Sequence, residues 1–91
     1  DQYHFESLAY KYAKRKIEPL LVTLDPSKAP ELVSHKGQEF NYCLEGRMKV
    51  VVGKSEYILE PGDALYFNSQ ILHKMLPMDN KEAKFLTIIM L

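Results

Sequence analysis

Turn-forming residues punctuate this chain at short, nearly even intervals, and the runs between them are too brief for ordinary helices. Phe40 to Leu44 ends at Glu45-Gly46, Arg47 to Val52 at Gly53-Lys54, Tyr57 to Leu59 at Glu60-Pro61-Gly62-Asp63, and Ala64 to Phe67 at Asn68-Ser69-Gln70. Ile71 to Leu76 gives way to Pro77-Met78-Asp79-Asn80-Lys81, and a last run, Ala83 to Leu91, is apolar on both faces toward its end. Glycines at such turns supply positive φ, as expected here of Gly37, Gly46, Gly53 and Gly62. The runs themselves carry the branched and aromatic side chains that suit a pleated surface. An all-β fold follows, a small antiparallel sandwich or barrel, with the last strand central or covered.

Upstream, Ile17 to Leu24 reads as another strand, with Pro19 placing it at an edge or near its start. Asp25 to Pro30 then breaks the pattern as a loop. Residues 3 to 16 allow two readings, since Phe5, Leu8, Ala9 and Tyr12 fit a helical stripe while Leu8, Tyr10 and Tyr12 fit strand alternation. Lys11, Lys14, Arg15 and Lys16 beside them read as a solvated face. With no repeat, linker or low-complexity tract, residues 1–91 make one domain.

The charge balance excludes one class of function. Twelve basic residues against 12 acidic ones give none of the excess that a module gripping nucleic acid through phosphates requires, so this segment is expected not to bind DNA itself. The single cysteine, Cys43, forms no internal disulfide, and no run approaches the roughly 18 apolar residues of a membrane span, so a cytoplasmic location is expected. Asp1 without a preceding methionine or leader suggests a processed chain or a fragment. At 91 residues the core is modest, and a second copy would add to it. The aromatic set Tyr3, Phe5, Tyr10, Tyr12, Tyr42, Tyr57, Tyr66, Phe67 and Phe85 exceeds what one small core needs, which points some of them to a dimer interface.

His35 and Glu39 lie four residues apart, a spacing that aims both into one cavity if the first sits in a loop and the second opens a strand. With His73 they make a two-histidine, one-carboxylate set able to hold zinc, iron, manganese or nickel. The alternative is a hydrogen-bonded polar cluster in which Glu39 pairs with a histidine. If Glu39 faces inward, so do Asn41 and Cys43, while Phe40, Tyr42 and Leu44 face out. Asn41 is then a ligand contact or the partner of a local water, and Cys43 a small buried residue lining the same interior. Parity counted from His73 turns Ile71 and Met75 inward as an apolar wall. Arg47, after the Gly46 turn, is placed to meet an anionic ligand or to face solvent, and Asp63 to cap the Gly62 turn.

Two stretches resemble the paired motifs of the cupin superfamily. His35, Glu39 and Gly46 match the second histidine, the glutamate and the glycine of its first motif, with Val33 where the first histidine would stand. Gly62, Asp63 and His73 match the second motif, whereas Asn68, Gln70 and Pro77 depart from it. His-Lys-Gly-Gln-Glu-Phe-Asn-Tyr-Cys-Leu-Glu-Gly and Leu-Glu-Pro-Gly-Asp-Ala-Leu-Tyr-Phe are similar to the C-terminal cupin of bacterial XRE-type helix-turn-helix regulators. Residues 3 to 24 are similar to the segment leading into that barrel.

The resemblance implies a cupin jelly roll over residues 17–91 with an extended arm over 1–16, often paired across a homodimer. It further implies a small-molecule effector in the barrel and a helix-turn-helix domain, absent from this chain, that contacts DNA. In four-ligand cupins the metal set includes one more imidazole, which Val33 cannot supply. Two other functions stay open: a metal-dependent isomerase or dioxygenase using His35, Glu39 and His73, and a dimerisation module with an empty barrel.

Overall fold

The structure, a computed structural model, describes residues 3–91; expectations placed on Asp1 and on the Tyr3 side chain lie outside the described residues. Eight strands follow one another: β1 (Tyr3–Ser7), β2 (Ile17–Leu24), β3 (Gln38–Glu45), β4 (Met48–Val52), β5 (Ser55–Leu59), β6 (Ala64–Asn68), β7 (His73–Pro77) and β8 (Ala83–Met90). Every pairing is antiparallel, in a five-stranded sheet ordered β1-β2-β8-β3-β6 and a three-stranded sheet ordered β5-β4-β7. None of the described residues is helical, and no helix is long and apolar enough to cross a membrane.

Alternation builds the core. Val22, Phe85 and Cys43 stand in one row across β2, β8 and β3, and the facing sheet supplies Met48, Val50 and Met75, all buried. Each such side chain taken fully from water contributes about 1.5–3 kcal/mol. As its apolar pattern required, β8 is the middle strand of its sheet.

Pro19 sits third in β2 without breaking the ladder to β8. Its carbonyl accepts from Leu8 N–H at 3.0 Å, and since N–H and C=O of one antiparallel residue point the same way, the missing donor faces β1 just where β1 has ended. The arm is extended only over Tyr3–Ser7; from Leu8 to Lys16 it folds into turns. That return is pinned by Glu18, which accepts from Ser7 Oγ at 2.6 Å and from Arg15 Nε at 2.9 Å.

The turns obey their residues. Asp79 and Asn80 have φ of 61° and 52°, and Lys81 N–H bonds back to Met78 O at 3.1 Å, a tight left-handed turn of the type I′ kind that carries the chain from β7 in one sheet to β8 in the other. Gly46 has φ 76°, and a Cβ there would lie 2.6 Å from Glu82 O. Asp63 caps its turn as expected, accepting from Glu60 N–H at 2.9 Å.

The connection from β2 to β3 crosses the end of the sandwich. Val33 forms an isolated antiparallel bridge with His73, closed by Val33 N–H to His73 O at 2.8 Å and His73 N–H to Val33 O at 2.9 Å. This bridge sets a further element against the free edge of β7 and brings the loop over the candidate site.

Candidate metal and ligand site

Three elements converge at this end of the fold. His35 lies in the loop before β3, Glu39 is the second residue of β3, and His73 opens β7 on the opposite sheet. His35 Nε2 is 2.9 Å from Glu39 Oε1, and His73 Nε2 is 3.5 Å from the same oxygen. The imidazoles meet edge to face with centroids 5.3 Å apart, and Phe67 packs against His73 at 5.0 Å.

Glu39 and His73 are almost wholly buried, at 4% and 1% exposure, so their charges answer mainly to each other. His73 Nδ1 lies 2.8 Å from Ile71 O; a carbonyl only accepts, so this nitrogen carries a proton. The other nitrogen faces a carboxylate, and two acceptors around one ring favour the imidazolium. Burial pulls the His73 pKa down, but the Glu39 hydrogen bond, the Ile71 carbonyl and the Glu39 charge outweigh it and hold the pKa above its ordinary value. Burial likewise pushes Glu39 up, and His73 followed by His35 overcomes it, holding the carboxyl below its ordinary value.

The same donor set could hold a divalent ion. One ligand atom from each of the three residues falls within 4.8 Å of the others. Ligands around an ion with bonds of about 2.0–2.2 Å stand about 2.9–3.5 Å apart, a range that includes both distances to Glu39. The Ile71 carbonyl holds His73 Nδ1, so Nε2 would be the atom free to coordinate, as outer-shell acceptors arrange for metal-bound histidines. Val33 stands directly opposite His73 as a hydrogen-bonded antiparallel pair, and its isopropyl group lines the cavity beside the donor set without offering a ligand atom.

A cavity of about 320 Å³ opens beside these residues. Val22, Val33, Met75, Phe85 and Ile89 form its apolar wall, with His35, Glu39 and His73 at one end. Met75 therefore faces in, as parity from His73 required. Asn41 and Cys43 also point inward and are fully buried, further along β3, opposite the cavity residues Thr87 and Phe85. Cys43 Sγ bonds Gly46 O at 3.3 Å, and burial, then the Asp63 and Glu60 charges, push its pKa up. It is an inert core thiol.

One expected placement needs correction, and of the two alternatives for Arg47 the solvent-facing one holds. Ile71 is 45% exposed, because β7 begins only at His73 and Ile71 belongs to the preceding turn, where its N–H bonds Asn68 O at 3.2 Å. Strand parity does not extend into that turn. Arg47 faces outward and is held by Asp79, Nε to Oδ2 at 2.9 Å and Nη2 to Oδ1 at 3.1 Å. Its guanidinium belongs to a surface pair that joins two turns.

Thr87, Phe5 and Glu31 line the cavity without having been anticipated. Thr87 was readable as the one hydroxyl in an apolar strand, sharing parity with Phe85 and Ile89. Phe5 and Glu31 reach the cavity through the arm and the bridging loop, and no local pattern marks them.

A two-sheet antiparallel jelly roll with a two-histidine, one-glutamate set at one mouth defines a class of small β-barrels. The family model for the cupin domain matches residues 20–89, and the chain belongs to that family. No curated protein matches. The cupin domain of an XRE-family transcriptional regulator from Enterobacter cloacae superposes with TM-score 0.86 at 15% identity, covering 100% of this chain and 98% of that one. An HTH_3-family transcriptional regulator from Vibrio cholerae gives TM-score 0.83 at 23% identity over 99% of this chain. Hydroxypropylphosphonic acid epoxidase from S. wedmorenis gives 0.83 at 22% identity over 98% of this chain. The chain spans about half of each of these two proteins, 51% in both cases.

Proposed function

We propose that this chain is the ligand-sensing domain of a bacterial transcriptional regulator acting in the cytoplasm. The observation that carries the reading is the cavity with a buried ligating end, in a fold shared along its whole length with a regulator's cupin domain. A small molecule entering the cavity favours one arrangement of a homodimer. That preference shifts the DNA affinity of an attached helix-turn-helix domain, while the cupin itself makes no nucleic-acid contact.

The outer face of the five-stranded sheet supports the dimer. Pro19, Ile88, Phe40 and Tyr66 form one outward row, and Leu21, Leu86 and Tyr42 the next, with Tyr66 and Tyr42 still 54% and 37% exposed. The arm lies at one edge of the same sheet. A thermal-shift screen against a metabolite panel, with sequencing of the coding region ahead of the Asp1 codon, tests the reading. A stabilising metabolite and an upstream helix-turn-helix are expected; no stabilising compound, or an unrelated enzyme upstream, would overturn it.

The donor geometry favours a second reading, a metal-dependent cupin enzyme. Iron(II) and cobalt(II) forms of HppE share the fold. A divalent zinc, iron, manganese or nickel ion held by His35, Glu39 and His73 supplies Lewis acidity and open coordination positions. The apolar wall orients substrate and keeps water away. Oxygen uptake by iron-loaded protein with catechols, thiols or oxo acids tests it, and the absence of uptake across these classes would exclude the oxygenase form.

A further inference from the structure

The cavity has a second polar feature that the ligating end does not explain. Thr87 lines it at 4% exposure, and Asn41, at 0%, stands directly opposite Thr87 in the β3–β8 pairing. Opposed residues of antiparallel strands share a face, with Cβ atoms about 4.5–5.5 Å apart. Neither Thr87 Oγ1 nor the Asn41 carboxamide nitrogen or oxygen has a hydrogen-bond partner among the described residues. Their neighbours in the same row are Leu20 and Leu65, which offer none.

Burying such groups unpaired is costly, about 1–3 kcal/mol each, so native proteins pair them or keep them for a partner that arrives later. Here a hydroxyl on the cavity wall is backed by a carboxamide one strand away, on the same face and behind the lining. A hydroxyl or carbonyl lying between them would satisfy Thr87 and Asn41 together.

The register sets the spacing of the two polar ends. Asn41 follows Glu39 by two residues on one strand, about 6.7 Å along it. Three ligating side chains with a single negative charge leave a divalent ion net positive, which selects an anionic head group. Glu31, the remaining charged group of the cavity, is exposed and lies in the loop.

We propose that Thr87 and Asn41 form a distal subsite that takes the hydroxyl or carbonyl of a short substituted carboxylic acid, whose carboxylate sits at the His35, Glu39 and His73 end. The proposal rests on the ligand-binding reading above and narrows it. An extended five-carbon acid places a terminal hydroxyl about 6–7 Å from its carboxylate, matching the strand rise. The cavity, at about 320 Å³, is at the small end of the usual range for ligand sites.

The test is calorimetric titration of the Zn²⁺-loaded chain with 5-hydroxypentanoate and with pentanoate. The hydroxy acid should bind at least tenfold tighter. In a Thr87→Val, Asn41→Leu double variant the two acids should bind within twofold of each other while Zn²⁺ affinity is unchanged. If the double variant does not fold, Thr87→Val alone, which removes one hydroxyl at constant shape, should still abolish most of the preference. Pentanoate binding as tightly as the hydroxy acid, or a preference that survives the substitutions, overturns the subsite and leaves the cavity reading standing. Binding of neither acid overturns the subsite, and the thermal-shift screen then decides the cavity reading separately.

Discussion

Replacing Val33 with histidine tests whether the ligating end is a metal centre short of one ligand. Val33 and His73 exchange backbone hydrogen bonds at 2.8 and 2.9 Å, so a new imidazole would enter on the face of His73, within cross-strand reach of the donor set. Without metal the substitution replaces half-buried apolar packing with a polar ring, at a cost of about 1–3 kcal/mol. In a domain of this size each 1 kcal/mol is about 4–8 °C in Tm, so the chelator-treated variant should melt below the parent. A fourth ligand that tightens Zn²⁺ binding tenfold adds about 1.4 kcal/mol, and mass action passes that gain to stability. The Zn²⁺-induced rise in Tm should therefore exceed the parent's by about 6–11 °C. Scanning calorimetry with chelator and with excess Zn²⁺ reads both numbers, and Val33→Ala, which loses packing without gaining a ligand, serves as control. Equal Zn²⁺-induced rises in Val33→His and parent would refute the reasoning and leave the three side chains as a hydrogen-bonded cluster.

Three further outcomes follow from the geometry. In metal-free protein, Glu39 has a depressed pKa and stabilises fully above its ordinary value of 4.5, losing that contribution as pH falls through the folded value; His73, with a raised pKa, stabilises fully below 6.5 and loses its contribution as pH rises. Urea midpoints should thus peak between pH 4.5 and 6.5, and Glu39→Gln should flatten both limbs; a peak above that window contradicts the pairing. Gly46→Ala forces a left-handed φ and drives a Cβ to 2.6 Å from the Glu82 carbonyl, costing at least about 2 kcal/mol by urea unfolding, against about 1 kcal/mol for Gly62→Ala, where nothing lies within 4 Å. Phe85→Ala, at a position 2% exposed in the central strand, should cost about 3–5 kcal/mol by the same measurement, and a loss below 1 kcal/mol would place Phe85 outside the core.

The strands were legible because glycine, proline and the Asp-Asn pair act locally: each dictates a backbone conformation whatever surrounds it. Ile17–Leu24 and the starts at Ala64 and Ala83 agree with the structure to the residue. The inward face of β3 was legible for the same reason, since alternation from Glu39 needs only an unbroken strand. Ile71 shows where that reasoning stops, because counting back from His73 assumes strand geometry in what is a turn. Arg47 shows another limit: its partner Asp79 lies in the distant β7–β8 turn, and only the folded register brings the two turns together. Phe5 and Glu31 reach the cavity across sheet order and loop path, which a one-dimensional pattern does not encode.

The bridging loop also bears on how long a bound molecule stays. Val33 is tied to His73, His35 N–H to Ser69 O at 2.9 Å, and Ser34 Oγ to Gln70 O at 2.8 Å, so these three contacts all fasten the loop to residues 69–73. The same loop carries Val33 and His35 into the cavity wall. Peeling it away to let a molecule leave would carry His35 from Glu39 and His73 in the same movement. On the proposed sensing reading, a molecule leaving past this loop would tie its residence time to the integrity of the donor set, through a handful of hydrogen bonds at the mouth.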